Sequence, residues 1–125
     1  MHKIEYAAAS SVGNVRENNE DNYFADGEVL AGEGAASGIT GSYGLFAVCD
    51  GMGGAEYGEI AAKVSVRVLG AYYDNITSGN NFGEICNAYV DEVNKKLCDE
   101  MDKREGVRIG TTLALLSVAD GEAQI

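Results

Sequence analysis

The sequence predicts an α+β domain in which two helices pack as a pair over a mainly antiparallel sheet. Short apolar stretches typical of strands lie towards both ends of the 125-residue chain, and two stretches with apolar residues at helical spacing lie between them. The chain has 17 Gly and no Pro, so its turns must be made by Gly, Asn and Asp. The order of strands, two helices and strands again is typical of a layered α+β domain.

The first part of the chain predicts two strands and a long connection. Ile4 to Ser10 is a short apolar-leaning stretch, and Asn22 to Asp26 contains two aromatic residues, so each is expected to form a strand. A polar turn, Gly13 to Asp21, lies between them. The segment from Gly27 to Gly41 is rich in small residues and is expected to be a long, partly disordered hairpin connection.

The next element is the most apolar strand of the chain. Tyr43 to Cys49 is a continuous apolar run that ends abruptly at Asp50 and Gly51. A run of this kind is typical of a strand that is buried on both faces. A carboxylate placed at its end must be solvated, paired or bound to a metal ion, so this end of the strand is a candidate site.

The middle of the chain predicts two helices. The first is expected from about Glu56 to Tyr73, because apolar residues recur there at helical spacing. The second is expected to begin at Asn81, which forms a capping box with Glu84, and to stop by Gly106. Its apolar stripe consists of Phe82, Ile85, Tyr89, Val93, Leu97 and Met101.

The last part of the chain returns to strands. Gly110 to Val118 predicts another buried strand, Asp120 and Gly121 predict a hairpin turn, and Ala123 to Ile125 begins a further strand. We expect this last strand to leave an open edge. The chain is then either the N-terminal portion of a domain, spanning residues 1–125, or completes its sheet as a homodimer with a second copy.

Composition excludes several classes of function. Nine Lys and Arg against 20 Asp and Glu give a net charge of −11, which repels polyphosphates and anionic membrane surfaces, so nucleic acid is not an expected partner. No apolar run is long enough for a membrane helix or a signal peptide, so a cytoplasmic protein is expected. Cys49, Cys86 and Cys98 are odd in number and widely spaced, and we expect reduced thiols in core positions.

Two constellations of residues carry potential chemistry. In the first, Arg16 lies close in sequence to Glu20 and Asp21, an arrangement that is also common on solvated surfaces. In the second, Asp50 is followed by glycines at 51, 53 and 54, an arrangement that also suits a simple Asp-Gly turn. A dinucleotide-binding loop would need a third glycine at position 56, where the sequence has Glu, so that function is excluded.

A bound cation explains both constellations at once. Carboxylates gathered about 4 Å apart repel by roughly 4 kcal/mol at an effective dielectric constant of 20, and a divalent ion turns that repulsion into ligation. Oxygen ligands without a His or Cys cluster favour Mg²⁺ or Mn²⁺ over Zn²⁺. In this interpretation the Gly51 carbonyl turns onto the metal, and Arg16 holds a phosphate through its two-pronged guanidinium.

Three motifs stand out along the chain, namely SVGNVRENNED at 11–21, FAVCDGMGG at 46–54 and GTT at 110–112. In order and approximate spacing, they together resemble the motifs that open the catalytic domain of bacterial metal-dependent protein phosphatases of the PPM (type 2C) family. The resemblance covers most of this chain and about the first half of the family's catalytic domain. It implies a β-sandwich flanked by antiparallel helix pairs, of which this chain is an incomplete, N-terminal portion.

The resemblance also implies roles for individual residues. Asp50 matches the aspartate that bridges two metal ions, Gly51 the glycine whose carbonyl joins one of them, and Arg16 the arginine that binds substrate phosphate. Glu20 and Asp21 match acidic residues around the metals. In the family, a water that bridges two Mn²⁺ or Mg²⁺ ions attacks phosphoserine or phosphothreonine, which implies phosphoprotein substrates and an opposing Ser/Thr kinase.

The sequence departs from the family pattern in one respect. The family's metal site includes two later aspartates, in an Asp-Gly and an Asp-Asn motif, and this chain stops before both. Asp74-Asn75 and Asp120-Gly121 spell similar strings but lie at a helix end and in a predicted hairpin turn. A non-catalytic phosphatase-like module that binds a phosphoprotein or a partner subunit is therefore the alternative hypothesis.

Overall fold

The structure, a computed structural model, describes residues 3–30, 34–53, 57–78 and 80–125. Within these ranges the chain forms eight strands and three helices. In chain order they are β1 (Ile4–Ser10), β2 (Asp21–Ala25), β3 (Glu28–Val29), β4 (Gly34–Thr40), β5 (Tyr43–Gly53), α1 (Tyr57–Ala71), α2 (Tyr73–Thr77), α3 (Phe82–Asp102), β6 (Ile109–Thr111), β7 (Ala114–Ala119) and β8 (Glu122–Gln124). The predicted α+β class and order of elements are confirmed.

The strands form two antiparallel sheets. The larger sheet has the strand order β3-β2-β5-β7-β8, with β6 paired to the far end of β5, and the smaller sheet consists of β1 and β4. Strand β5 is the centre of the larger sheet because it pairs with β2, β6 and β7. The register between β2 and β5 places Asp21 directly opposite Asp50, so the two sequence constellations meet at one point.

Strand β5 differs from the prediction in two ways. It continues past Asp50 to Gly53, because β6 pairs with Gly51–Gly53 and extends the hydrogen-bonded ladder. It is also buried on one face only: Leu45 is fully buried, whereas Val48 is 60% exposed on the opposite face. The helices cover the first face, and Asp50 belongs to the second.

The predicted connection between Gly27 and Gly41 is instead a pair of strands, β3 and β4. Strand β4 pairs with β1 along its whole length, from Gly34 to Thr40. Its Gly, Ala and Ser residues have low strand propensity, which is why the sequence pattern did not predict a strand. Long-range pairing stabilises it, and Gly38 is needed there because a Cβ atom would lie 2.6 Å from the Tyr6 hydroxyl. Residues 31–33 of this segment lie outside the described residues.

The two long helices are confirmed with different ends. The predicted start at Glu56 lies outside the described residues, and α1 ends at Ala71, so α2 is a separate short helix that contains Asp74-Asn75. The predicted capping box of α3 is wrong, because Asn81 has a left-handed backbone (φ 55°) and its side chain makes no capping hydrogen bond. None of the described helices is long and apolar enough to cross a membrane.

The main core lies between the helices and the covered face of the larger sheet. Tyr89 of α3 is 1% exposed, and its hydroxyl donates a hydrogen bond of 2.8 Å to the Ser65 carbonyl of α1. The predicted apolar stripe of α3 is confirmed, since Tyr89, Val93 and Leu97 are all buried. Burial of each such side chain contributes roughly 1.5–3 kcal/mol, so these contacts fix both helices against β5.

The predicted strand from Gly110 to Val118 is divided into β6 and β7. Thr112 and Leu113 interrupt it, because Thr112 turns its side chain and its N–H towards Asp50. The hairpin turn between β7 and β8 is confirmed, with positive φ angles at Asp120 (49°) and Gly121 (84°) that suit a two-residue turn.

Candidate metal centre

The candidate site is built on two facing carboxylates, Asp21 and Asp50. Asp21 is the first residue of β2 and lies directly opposite Asp50 of β5 on the open face of the sheet. Burial, the negative charge of Asp50 and a hydrogen bond to Asp50 together raise the pKa of the Asp21 carboxyl above its usual range. Two carboxylates held side by side in this way repel each other and favour a shared proton or cation.

Thr112 fixes the backbone of Asp50. The Asp50 N–H donates to the Thr112 hydroxyl over 3.0 Å, and the Thr112 N–H donates to the Asp50 carbonyl over 2.9 Å. Thr112 belongs to the GTT motif at 110–112, but the sequence indicates no role for it. Its position 62 residues after Asp50 is the reason, because only the pairing of β5 with the segment around β6 brings the two together.

Glu20 lies where two glycines, Gly51 of β5 and Gly58 of α1, pack closely against each other. The Gly51 N–H donates to the Glu20 carbonyl over 3.1 Å. A Cβ atom on Gly51 would lie 1.9 Å from the Gly58 carbonyl oxygen, and one on Gly58 would lie 2.8 Å from the Glu20 carboxylate. Gly51 therefore lacks a side chain because α1 packs against it, a steric reason that the sequence does not reveal. Gly58 is a site-shaping residue that the sequence analysis missed.

The loop that carries the first constellation is anchored by Asn19. The Asn19 side-chain amide donates to the Ser10 hydroxyl over 2.8 Å, and its carbonyl oxygen accepts the Asp21 N–H over 3.1 Å. These two bonds join the end of β1 to the start of β2 and hold the backbone at Asp21. Asn19 was not assigned a role from the sequence, although an Asn two residues before a strand is a recognisable turn signal.

Arg16 lies at the rim of a polar cleft of about 230 Å³ that Asp21 and Asp50 also line. Its side chain is 76% exposed, and its Nη1 atom lies 4.0 Å from the Glu20 Oε2 atom. An exposed ion pair of this length is weak. The guanidinium is therefore free to bind an anion in the cleft. A second cleft, of about 250 Å³, is lined by Asp21, Asp50 and Thr112.

The residues present fit part of a site for a hard divalent cation. Asp21 and Asp50 supply adjacent carboxylate oxygens, and the Glu20 charge is close enough to raise the pKa of Asp21 further. Among residues 3–30, 34–53, 57–78 and 80–125, no three Asp, Glu, His or Cys side chains converge closely enough to hold a metal ion. The described chain thus supplies a pair of ligands and not a closed coordination sphere.

The three cysteines take no part in this arrangement, and all are free. Cys49 is 2% exposed and points into the core, opposite Asp50, as predicted. Burial raises the pKa of its thiol to about 11. The expectation that all three thiols lie in core positions is wrong for Cys98, which is exposed on α3 because it lies outside the apolar stripe.

We expect alkylation by iodoacetamide at neutral pH to modify Cys98 first and Cys49 last, because only a thiolate reacts and Cys49 is both buried and protonated. Peptide mass spectrometry over a time course measures the order. Addition of denaturant is the control and should make the three rates similar. Early modification of Cys49 in the folded chain would contradict its position in the core.

Comparison with known proteins identifies similar sequences and structures. The sequence matches no protein-family profile. It is 29% identical over 117 residues to the serine/threonine protein phosphatase PstP of Mycobacterium tuberculosis, in each of two strains. This alignment covers 93% of the chain but 20% of the relative, so the chain spans about a fifth of the length of the curated relatives it matches.

Two solved structures have the same fold. The crystal structure of the Mycobacterium tuberculosis phosphatase PstP/Ppp superposes with a TM-score of 0.66 at 28% identity, covering 94% of this chain and 43% of that one. The catalytic domain of PstP in complex with two manganese ions superposes with a TM-score of 0.66 at 25% identity, covering 98% and 54%. By sequence and by structure, the chain is similar to part of PstP, a serine/threonine protein phosphatase.

Proposed function

We propose that this chain is part of a protein Ser/Thr phosphatase that uses Mn²⁺ or Mg²⁺ to hydrolyse phosphoserine and phosphothreonine. The observation that carries the proposal is the pairing of the Asp21 and Asp50 carboxylates across β2 and β5, beside Arg16 in one cleft. The homologous PstP catalytic domain has been crystallised with two manganese ions, which supports a two-metal site of the same kind.

Each residue of the site has a proposed task. Asp50 would hold both metal ions and the Gly51 carbonyl would join one of them, whereas Glu20 and Asp21 would act mainly through bound water. Bound divalent ions would lower the pKa of a coordinated water and stabilise the charge of the phosphoryl group. Arg16 would bind two phosphate oxygens and give up its weak contact to Glu20. Thr112 would keep the Asp50 backbone in place.

The test is Mn²⁺-dependent hydrolysis of a small aryl phosphate by the 125-residue chain, with a chelator as control. Turnover that needs Mn²⁺ and is lost with the chelator would support catalysis by the residues described. A folded chain without turnover would favour the alternative hypothesis, a phosphatase-like module that binds phosphoproteins or a partner subunit. One observation favours that alternative, namely that no three Asp, Glu, His or Cys side chains converge on one point within the described residues.

The two functions differ in what they leave of a phosphopeptide. A catalytic chain converts a phosphothreonine peptide to free phosphate and dephosphorylated peptide when Mn²⁺ is added. A binding module retains the phosphopeptide intact, and fluorescence anisotropy of a labelled peptide measures that binding. Mass spectrometry of the peptide after incubation therefore separates the two hypotheses.

Replacing Arg16 with Ala should weaken substrate handling while metal binding is retained. The lost bonds to a charged phosphate are worth roughly 1.5–3 kcal/mol, so kcat/KM should fall about tenfold to a hundredfold. Most of the loss should be in KM, because Arg16 contacts the phosphate in the bound substrate as well. Titration with Mn²⁺ is the control and should be unchanged. Unaltered kinetics would show that Arg16 is an ordinary surface residue that does not bind the substrate.

Three further expectations belong to this proposal. The phosphoprotein substrates would be products of an opposing Ser/Thr kinase, and the protein would act in the cytoplasm. The exposed edge of β8, all of whose residues are exposed, would allow a homodimer to form by strand pairing. Light scattering at rising protein concentration measures the molar mass, and a strictly monomeric chain would exclude the dimer.

A further inference from the structure

Arg104 makes an unusual set of contacts just beyond the end of α3. Its guanidinium carbon lies 5.3 Å from the centre of the Tyr57 ring, in a cation–π arrangement. The same side chain forms an ion pair with the Glu100 carboxylate and donates a 3.2 Å hydrogen bond to the Glu100 carbonyl. Both bonds to Glu100 fix the orientation of the guanidinium, so the plane that Arg104 presents to Tyr57 is defined.

Tyr57 connects this contact to the candidate metal centre. It is the first residue of α1 and directly precedes Gly58. Gly58 packs against the backbone of Gly51 and against the Glu20 carboxylate. A short series of contacts thus leads from Arg104 through the first turn of α1 to the place where Glu20 and Gly51 meet.

Backbone atoms make the closest contacts at the junction that this series reaches. Gly51 and Gly58 approach each other backbone to backbone, and Gly53 also faces the Gly58 N–H, where a Cβ atom would lie 3.0 Å away. Glycines have the largest conformational freedom of all residues and bury little apolar area. A side-chain contact from another element therefore adds to the packing that restrains the first turn of α1 against β5.

We propose that Arg104 is a positioning residue for the metal centre, which acts by stacking on Tyr57 and so holding the first turn of α1 against Gly51 and Glu20. Its consequence for metal binding rests on the proposed function. Its consequence for the geometry of the junction does not. The described side-chain contacts of Arg104 are with Glu100 and Tyr57 and not with Asp21 or Asp50, so its effect would pass through Tyr57 and Gly58.

Hydrogen exchange of the Gly51 amide tests the geometric part in the metal-free, full 125-residue chain. This amide donates to the Glu20 carbonyl and reports opening of the junction. Arg104→Ala should speed its exchange by about two- to fivefold, the range that a partly exposed cation–π contact supports. Tyr57→Leu should have the same effect, whereas Tyr57→Phe, which keeps the ring, should not.

Lys103→Ala is the matched control. This substitution removes the same charge as Arg104→Ala. Lys103 also pairs with Glu100, at 3.5 Å, but has no contact with Tyr57 in the described structure. Exchange of the Val93 amide in α3 reports general destabilisation and should be unchanged in every variant. Equal effects of Arg104→Ala and Lys103→Ala on Gly51, or equal effects of Arg104→Ala on Gly51 and Val93, would overturn the proposal.

The effect of Arg104 on metal affinity is measured by paramagnetic broadening of the Asp21 and Asp50 amide signals in NMR spectra as Mn²⁺ is added. Arg104→Ala should raise the apparent Kd for Mn²⁺ by about two- to fivefold, because it removes the cation–π contact with Tyr57. Combining Arg104→Ala with Tyr57→Leu should not raise this Kd further. Additive effects would overturn the proposal. If the unaltered chain shows no broadening, the proposed function fails in this chain, and the exchange of Gly51 still decides whether Arg104 positions the junction.

Discussion

Replacing Asp50 with Asn should abolish Mn²⁺-dependent phosphatase activity while leaving the fold intact. Asp50 is one of the two paired carboxylates, and under the proposed function it holds the metal ions. Because metal ions stabilise the transition state by several kcal/mol, the loss in kcat should be at least about a hundredfold. The measurement is hydrolysis of an aryl phosphate at saturating Mn²⁺. Near-normal turnover would contradict the assignment of Asp50.

The same substitution should stabilise the metal-free chain at neutral pH. The negative charge of Asp50 opposes ionisation of Asp21, so removing that charge relieves a repulsion present in the folded state. Both carboxylates are exposed, and after solvent screening the gain should be on the order of 1 kcal/mol. Urea unfolding with a chelator present measures it. A clear loss of stability would show that Asp50 has a structural role that its geometry does not suggest.

The gain from Asp50→Asn should depend on pH in a defined direction. The pKa of Asp21 is raised in the folded chain, so the folded state binds more protons than the unfolded state, and stability falls as pH rises through this window. The difference between Asp50→Asn and the unaltered chain should therefore be largest above the raised pKa and shrink as pH falls towards the ordinary value of 3.8. Thermal unfolding at several pH values measures this trend.

Asp74→Asn is the matched control for Asp50→Asn. It removes one negative charge from α2, within the Asp-Asn string that resembles a family motif but lies in a short helix. We expect it to change neither activity nor the stabilisation by Mn²⁺. Mn²⁺ should raise the Tm of the unaltered chain and of Asp74→Asn, and should not raise that of Asp50→Asn. Loss of Mn²⁺ stabilisation in Asp74→Asn would place a metal ligand on α2.

The sequence predicts those parts of the fold in which bulky apolar side chains mark one face of an element. The apolar stripe of α3 was predicted on that basis, whereas β1 and the start of β5 were predicted from apolar runs that do not show which face is buried. Strand β4 was not, because its small side chains carry no such pattern and it depends on pairing with β1. Periodicity reports local burial, whereas the existence of β4 is decided by a contact between distant segments.

The same distinction applies to the candidate site. Asp21, Asp50 and Arg16 were predicted because motifs keep them in a recognisable order, and the register of β2 and β5 then brings the two carboxylates together. Thr112 and Gly58 act through a hydrogen bond and a steric contact with segments far away in sequence. Neither the hydrogen bond nor the steric contact leaves a periodic signal in the sequence. A single sequence therefore does not reveal the roles of Thr112 and Gly58.

Replacing Gly51 with Ala should destabilise the chain strongly, although the change adds one methyl group. The new Cβ atom would lie 1.9 Å from the Gly58 carbonyl oxygen and 2.7 Å from the Glu20 carbonyl oxygen, and both are backbone atoms that cannot rotate away. Overpacking against backbone should cost about 3 kcal/mol or more. The midpoint of urea unfolding with a chelator present measures the loss, independently of any metal.

Gly41→Ala is the matched control, because nothing lies within 4 Å of a Cβ atom at that position and its backbone is not left-handed. It should change the free energy of unfolding by no more than about 1 kcal/mol, with stabilisation favoured because the unfolded chain loses freedom. Similar effects at Gly41 and Gly51 would mean that α1 does not pack against β5 as described. Strong destabilisation by Gly51→Ala alone would instead show that the contact between β5 and α1 requires a glycine at this position. The glycine that the sequence motif associates with the metal site would then be needed for packing before it is needed for metal binding.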